Sequence, residues 1–280
     1  MTANGPGLLA GRTILVTGVI TEASIAFHTA RVAQEQGARV LLAGYGRMSL
    51  VTRIARRLPD PPPVLELDVT DRAQLDSLAA RVAEHTDRLD GVVHSVAYAP
   101  PGALGGRFLQ TTWEEAATAV HVSAYSLQSL VTALRPLLSA DASVVGMDFD
   151  AAQAWYGYDW MGVAKAALES CARYLACYLG PDGVRVNLVA AGPLATLAAR
   201  EVGGEDGVDE WARRAPLGWD RNSATPVARA AVVLLSPWLG ATTGEILHVD
   251  GVAHAVADRA PSAPAADPVP AAGADVAAAP

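Results

Sequence analysis

The sequence has 280 residues, of which 51% are hydrophobic and 18% are charged, so it can bury a sizeable core and is not globally disordered. Its formal net charge of −8 argues against a nucleic-acid-binding face, because phosphate neutralisation requires clustered Lys and Arg. It contains no charge-free run of about 18 apolar residues, so a membrane-spanning helix is not expected.

Short, nearly all apolar segments alternate with helical patterns from Arg12 to about Val249. Such segments are typical of parallel strands that are covered on both faces, and the alternation predicts an α/β fold with a doubly wound parallel sheet. In such sheets ligands bind beyond the carboxyl ends of the strands, near the switch point of the strand order. The predicted strands are Thr13–Val16, Val40–Leu42, Val64–Leu67, Gly91–His94, Ser143–Met147, Val184–Leu188 and Ile246–Val249.

Helices are predicted between these strands, and the C-terminal segment is expected to be disordered. Residues 258–280 consist mostly of Ala and Pro and lack the large apolar residues needed to offset the entropy of ordering. We therefore predict one domain over residues 1–257 and a disordered tail over 258–280. The predicted helices are Ile25–Gln36, Asp71–His85, Thr112–Leu138 and Asp159–Leu179.

The N-terminal residues and the two cysteines predict neither secretion nor a disulfide or metal site. The first twelve residues have no charged region followed by an apolar one, so we expect no secretory signal and a cytoplasmic location. Cys171 and Cys177 have a spacing that matches neither a disulfide framework nor a metal motif, and no metal is expected.

The first strand leads into a glycine turn and then into a helix that starts near Ser24. Free backbone N–H groups and the helix dipole at such a junction favour a phosphate. Only Gly18 of the usual three-glycine fingerprint is present, with Ser24 and Ala26 where the later glycines would stand. Ser24 can cap the helix and bind a pyrophosphate, so a nucleotide site and a simple capped helix are both open at this point.

The ends of the next three strands offer further nucleotide contacts. No acidic residue ends the second strand, but Tyr45 can stack on adenine, and Arg47 can approach a 2′-phosphate or remain a solvated cation. Asp68 can accept the adenine amino group while the Val69 N–H meets a ring nitrogen, or Asp68 can cap the next helix. Small residues within 94–98 let the backbone approach a nucleotide.

Tyr158 and Lys165 are the most specific candidates for a catalytic pair. Seven positions make about two helical turns, so the two side chains should share one face. Beside a nicotinamide, the lysine can lower the pKa of the phenol and hold ribose hydroxyls. The phenol can donate a hydrogen bond to an oxygen that gains negative charge. The alternative is a half-buried aromatic at a helix start and a lysine that extends its charged end to solvent.

Motifs occur in a fixed order over nearly the whole chain, the tail excepted. They are TG(x)5SIA (17–26), LDV (67–69), DGVVHSVAYAP (90–100), HVSAYS (121–126), YDWMGVAKAALE (158–169), VRVNLVAAGPLATLA (184–198) and TTGEILHVDG (242–251). Together they closely resemble the bacterial enoyl-[acyl-carrier-protein] reductases, a divergent branch of the short-chain dehydrogenase/reductase superfamily with a Rossmann-type fold.

The resemblance implies reduction of the trans-2 double bond of an acyl thioester on acyl carrier protein in fatty-acid or related biosynthesis. It implies NADH as the cofactor, with NADPH left open by Arg47. Tyr158 would donate to the thioester oxygen and Lys165 would bind the nicotinamide ribose. Ordinary ketone-reducing relatives place the tyrosine four positions before the lysine, where this chain has Met161, so a ketoreductase is disfavoured.

The resemblance also assigns contacts by position. Cofactor contacts would come from Gly18, Ile20, Ser24 and Ile25 around the pyrophosphate, Tyr45, Asp68 and Val69 at the adenine, Ser95, Val96 and Ala97 toward the ribose, Lys165, and Leu194 and Thr196 at the carboxamide and phosphate side. The substrate would lie among Phe149, Tyr158 and Met161, for which core packing is the alternative at Phe149 and Met161.

Departures from the family pattern leave other functions open. Ala97 stands where the family usually has glycine, Ala195 where many members have arginine, and Val252 where glycine is frequent. Together they suggest a paralogue that serves a specialised metabolite pathway or tolerates a reductase inhibitor. The alternative functions are reduction of another C=C or C=N bond, and nucleotide binding without catalysis, against which the intact Tyr158 and Lys165 argue. Residues 196–217 form the expected substrate lid, which is shorter than in the long-chain branch of the family and predicts ordinary or short acyl chains.

The resemblance further implies a homotetramer built through long helices and the last strand.

Overall fold

A computed structural model describes residues 6–195 and 211–256. Seven strands form one sheet in the order β3-β2-β1-β4-β5-β6-β7, and every neighbouring pair is parallel. The predicted α/β fold with a doubly wound parallel sheet is therefore confirmed. The strands are β1 Thr13–Thr17, β2 Arg39–Gly44, β3 Val64–Glu66, β4 Leu89–His94, β5 Leu138–Asp148, β6 Arg185–Ala191 and β7 Ile246–Val249.

Helices cover both faces of the sheet. The sequence analysis predicts no helix at Met48–Ala55 or at Thr225–Leu235, the second of which begins with a Thr-Pro pair. In chain order the α-helices within the described residues are α1 Ile25–Glu35, α2 Met48–Ala55, α3 Arg72–Ala83, α4 Trp113–Val120, α5 Ser126–Leu134, α6 Asp159–Leu179 and α7 Thr225–Leu235.

The single helix predicted over Thr112–Leu138 is wrong. A π-helical turn at His121–Tyr125 separates α4 from α5, and a 3-10 turn at Arg135–Leu137 follows α5. Pro136 lies in that turn and cannot continue an α-helix, and Leu138 already begins β5.

Alternate strand residues enter two cores, one on each face of the sheet. In β1, Ile14 and Val16 pack in the cluster beneath α1 and α7, whereas Leu15 packs in the cluster beneath α3, α5 and α6. All five residues of β1 are buried. This explains why the strand is apolar without alternation, and why the sequence signal was strong there.

The strand order reverses between β1 and β4, which lie side by side at the centre of the sheet. Thr17 ties their carboxyl ends together: its Oγ1 donates to the Val93 carbonyl at 3.0 Å and accepts from the Ser95 N–H at 3.1 Å. This is the place where doubly wound sheets open a ligand crevice.

Candidate functional site

The turn after β1 requires glycine. Gly18 has φ +84°, and a Cβ atom there would lie 1.9 Å from the Ser95 carbonyl oxygen. The backbone after β1 therefore presses directly against the backbone after β4. A larger residue would need both the left-handed conformation and a displacement of the second strand end.

Helix α1 begins beside this turn and is capped by Ser24. The Ser24 Oγ accepts from the Phe27 N–H at 3.1 Å and donates to the Thr21 carbonyl at 2.7 Å. The capping function is thus present, and the first turn of α1 carries no acidic residue that would repel an anion. Ile20, in the turn itself, is an exposed large hydrophobic residue, and Ile25 is half-buried.

The ends of β2 and β3 hold the predicted adenine residues. Tyr45 is 65% exposed just beyond β2, so its ring is free to stack on a flat group. Asp68 accepts from the backbone N–H and the hydroxyl of Thr70 at 2.8 and 2.7 Å, and Val69 is buried. Helix α3 is capped by Asp71, so the alternative in which Asp68 caps that helix is wrong.

The segment after β4 continues along the same edge of the sheet. Ser95 and Val96 are half-buried, and Ala97 is exposed. Because Ala97 is exposed, its methyl group, in place of the family glycine, meets no crowding from the described residues. Leu194, after β6, is buried, and the predicted phosphate contact Thr196 lies outside the described residues, as does most of the expected lid.

Tyr158 does not lie on a regular helix, which corrects the two-turn argument. It precedes α6 with φ −81° and ψ −29°, between Gly157 at φ +81° and Asp159 at φ +45°. The Asp159 carboxylate holds this strained start by accepting from the N–H groups of Gly106 and Arg107 at 2.7 and 2.9 Å. The helical spacing to Lys165 applies only from Asp159 onward.

Tyr158 and Lys165 both lie near Asp148, a residue that the sequence analysis missed. The Lys165 Nζ donates to the Met147 carbonyl at 2.8 Å and lies 4.0 Å from the Asp148 Oδ1. The Asp148 side chain is buried, and neither of its oxygens has a hydrogen-bond partner among the described residues.

Burial dominates the titration of these three groups. It raises the pKa of Asp148 to about 7, against the opposing pull of Lys165, and it lowers the pKa of Lys165, against the opposing pull of Asp148. Burial, followed by the Asp148 charge, raises the pKa of Tyr158 well above its ordinary value. The net shift of the Tyr158 pKa is therefore upward, opposite in direction to the lowering expected from Lys165, and the phenol is available as a hydrogen-bond donor.

A neutral histidine lies near the pair. Burial and then Lys165 lower the pKa of His94 to about 3. Its Nε2 is 2.7 Å from the Ser126 Oγ, which itself donates to the Val122 carbonyl. Because a hydroxyl has one proton, this assigns the imidazole proton to Nε2 and leaves Nδ1 an acceptor without a partner among the described residues.

The two predicted substrate residues have different surroundings. The Phe149 ring is half-buried and meets the Tyr158 ring edge-on, with centroids 5.0 Å apart. Met161 is buried in a small cluster with Ala99, Leu104 and other apolar residues, which is the core-packing alternative. Its contact with a substrate stays a prediction.

Residues 6–195 and 211–256 show neither a metal-binding cluster nor a membrane-spanning helix. They contain no group of three or more His, Cys, Asp or Glu side chains that could hold a metal ion. No helix within the same ranges is both long and apolar enough to cross a membrane.

Known proteins similar to this chain share one activity in their names. A family model described as Enoyl-(Acyl carrier protein) reductase matches residues 18–254. A relative from Mycolicibacterium smegmatis, named enoyl-[acyl-carrier-protein] reductase [NADH], is 47% identical over 260 residues, which cover 88% of this chain and 97% of the relative. A Mycobacterium avium relative of the same name is 48% identical over 258 residues, or 87% and 96% of the two chains. A Staphylococcus aureus relative, named enoyl-[acyl-carrier-protein] reductase [NADPH] FabI, is 34% identical over 254 residues, or 89% and 98%.

Proposed function

The chain belongs to the enoyl-[acyl-carrier-protein] reductase family, and from that premise we propose that it reduces the trans-2 double bond of an enoyl thioester carried by acyl carrier protein, with NADH as the reductant. Two of its relatives, at 47% and 48% identity, carry NADH in their names. One observation supports the activity most directly: the Tyr158 phenol and the buried Lys165 side chain both lie near Asp148 at the carboxyl end of β5. A cytoplasmic location is part of this proposal.

The residues at the sheet edge fit a dinucleotide. Gly18 lets the backbone come close at the β1–β4 switch point, and the first turn of α1 holds no acidic residue that would repel a phosphate. The large apolar side chains of Ile20 and Tyr45 are exposed on this edge, where a bound cofactor would cover them. When bound, the reduced nicotinamide supplies a hydride to C3 of the substrate.

Tyr158 acts on the thioester oxygen. As C3 is reduced, negative charge develops on that oxygen, and a donor aimed at it lowers the barrier. Burial keeps the phenol protonated, so its O–H is available as a hydrogen-bond donor, and the Phe149 ring fixes its orientation. Protonation of C2 completes the reaction.

Lys165 holds the ribose and adds positive charge. Its ammonium has three donors, of which one binds the Met147 carbonyl, so two can bind ribose hydroxyls. Asp148 favours the charged form of Lys165 and opposes the effect of burial. Met161, four positions before Lys165, has no ionisable proton, which is the feature that distinguishes this site from that of a ketoreductase.

A matrix of initial rates tests the activity. We expect oxidation of NADH with crotonyl and octenoyl thioesters. The kcat/KM should be higher with NADH than with NADPH, because Arg47 has no second basic residue beside it in the sequence to bind a 2′-phosphate. A ketoacyl thioester, the matched control, should give no turnover because Met161 replaces the acid. Nucleotide binding without oxidation of NADH by any enoyl thioester would contradict the proposal and favour a silent paralogue.

The chain is also proposed to form a homotetramer. A groove between α5 and α6 is lined mostly by apolar and uncharged residues such as Val131 and Leu175, with Arg135 as its one charged residue. Tyr174 and Tyr178, which also line it, are 66% and 75% exposed. Large apolar side chains at such exposures favour burial against another surface. The strand β7 also lies at the sheet edge, where its outer side is available for pairing.

Sedimentation velocity tests the assembly. We expect a single species of four chains at micromolar concentration, and we expect Tyr178→Glu to shift it toward smaller species by placing a charge in the groove. Leu109→Glu, which alters an exposed residue that does not line the groove, is the control and should sediment like the original protein. A monomer for the unmodified protein would contradict the proposal.

A further inference from the structure

Three tryptophans are fixed to the main chain immediately beyond three adjacent strands. The indole N–H of Trp155 donates to the Asp150 carbonyl after β5 at 2.8 Å. Trp219 donates to the Pro193 carbonyl after β6 at 2.7 Å, and Trp211 donates to the Asp250 carbonyl after β7 at 3.1 Å. Each indole is therefore held at the carboxyl ends of these strands, the edge of the sheet at which the candidate site lies.

Two of these rings close a triangle with Phe149. The ring centroids lie 5.4 Å apart for Phe149 and Trp155, 5.4 Å for Phe149 and Trp211, and 5.0 Å for Trp155 and Trp211. Phe149 in turn meets the Tyr158 ring at 5.0 Å. We call Phe149, Trp155 and Trp211 the aromatic wall, which begins one ring away from the phenol.

The aromatic wall is supported from behind. The Arg214 guanidinium lies 5.4 Å from the centre of the Trp155 ring and is itself held by two hydrogen bonds to the Val256 carbonyl, at 3.2 and 2.8 Å. At Gly192, a Cβ atom would come within 3.0 Å of both the Trp219 ring and the Trp211 Nε1. Only glycine leaves room for these indoles so close to the end of β6.

We propose that the aromatic wall sets the acyl length of the substrate and restricts this enzyme to short enoyl chains. The inference rests on the proposed function, because it takes the thioester oxygen to lie at Tyr158. Met161 and Ala164 fill one side of the Tyr158 ring with core packing, and Phe149 covers another. A chain that extends past Phe149 meets Trp155 and Trp211 in mutual contact.

A longer chain would have to part rings that are fixed. Separating the rings loses their edge-on and tilted contacts, and moving either indole breaks its bond to a main-chain carbonyl. A buried N–H without an acceptor is costly, so the rings resist displacement. Chains that end before the aromatic wall meet no such resistance.

The test compares chain lengths in Trp155→Ala. Trp155 is the half-buried member of the indole pair, so its removal opens space without emptying the core. For the unmodified protein we expect kcat/KM with NADH to fall from octenoyl to dodecenoyl thioester. In the variant, the ratio of kcat/KM for dodecenoyl to that for crotonyl should rise about fourfold for each methylene newly buried, which is about 16-fold for two methylenes. The gain should arise mainly in KM.

Matched variants separate size from general disruption. Trp155→Phe keeps a ring at the site and should retain most of the preference for short chains. Trp238→Ala removes an indole that is 75% exposed outside the aromatic wall, and it should leave the chain-length profile unchanged. Should Trp155→Ala not fold, Trp155→Leu, which keeps apolar bulk, is measured in the same way.

The outcomes distinguish the two proposals. Turnover of crotonyl thioester together with an unchanged profile in folded Trp155→Ala or Trp155→Leu would overturn the role of the aromatic wall and leave the proposed function standing. A preference of the unmodified protein for hexadecenoyl or longer chains would do the same. Absence of NADH oxidation with every thioester would overturn the proposed function, and with it this inference.

Discussion

Replacing Lys165 with alanine is expected to lower kcat/KM for enoyl thioesters by about 100- to 1,000-fold, the usual effect of removing one donor from a preorganised polar site. The change removes the bond to the Met147 carbonyl and the cation 4.0 Å from the Asp148 Oδ1. It also removes the donors proposed for the ribose, so the Kd for NADH should rise. Steady-state rates and titration of NADH fluorescence measure the two effects.

Tyr158→Phe provides the comparison for this variant. It keeps the aromatic ring that packs against Phe149 and removes only the hydroxyl, so kcat should fall while the affinity for NADH is retained. Different effects on NADH affinity would separate a ribose-binding lysine from a phenol that acts on the substrate. Full NADH affinity in Lys165→Ala would show that the lysine does not hold the cofactor.

The electrostatic setting explains why the lysine variant should be the more damaging. Asp148 and Lys165 are both buried, and each favours the charged form of the other. Without the ammonium, the Asp148 carboxyl loses the attraction that lowers its pKa, which should rise further above about 7. The variant therefore alters the charge of the whole site, whereas Tyr158→Phe removes a group that is neutral in the resting enzyme.

The strands were predictable because burial on both faces leaves an unbroken apolar run, as in β1 and β2. The start of β5 was not, since Ser139–Asp141 is partly exposed and polar, and Pro136 was overlooked as the end of the preceding helix. Periodicity also does not distinguish a π-helical turn from an α-helix, so the predicted helix runs through His121–Tyr125 without a break.

Sequence periodicity was also insufficient to predict the geometry of the candidate site. The pairing of Tyr158 with Lys165 was inferred from a regular helical period, but Asp159 adopts φ +45° between them. Both residues lie near Asp148, a single carboxylate at a strand end that forms no local sequence pattern with either of them. The contact of Trp155 with Trp211 likewise joins segments that only the fold brings together.

Gly18→Ala is expected to weaken NADH binding by at least about tenfold and to destabilise the fold by more than the roughly 1–3 kcal/mol typical of a non-glycine residue in a sparsely populated conformation. The added Cβ atom would lie 1.9 Å from the Ser95 carbonyl oxygen, so one strand end must move. That movement displaces the segment proposed to face the pyrophosphate and ribose. Thermal unfolding and NADH titration measure the two losses.

Gly11→Ala isolates the cause of these losses. Gly11 has φ +75°, close to the φ of Gly18, but a Cβ atom there meets nothing within 4 Å. The control therefore carries the conformational strain without the collision at Ser95. If close approach of β1 and β4 shapes the cofactor site, Gly11→Ala loses some stability and retains NADH affinity, whereas Gly18→Ala loses both. Equal losses of stability with unchanged NADH affinity in both variants would mean that the turn serves the backbone conformation alone.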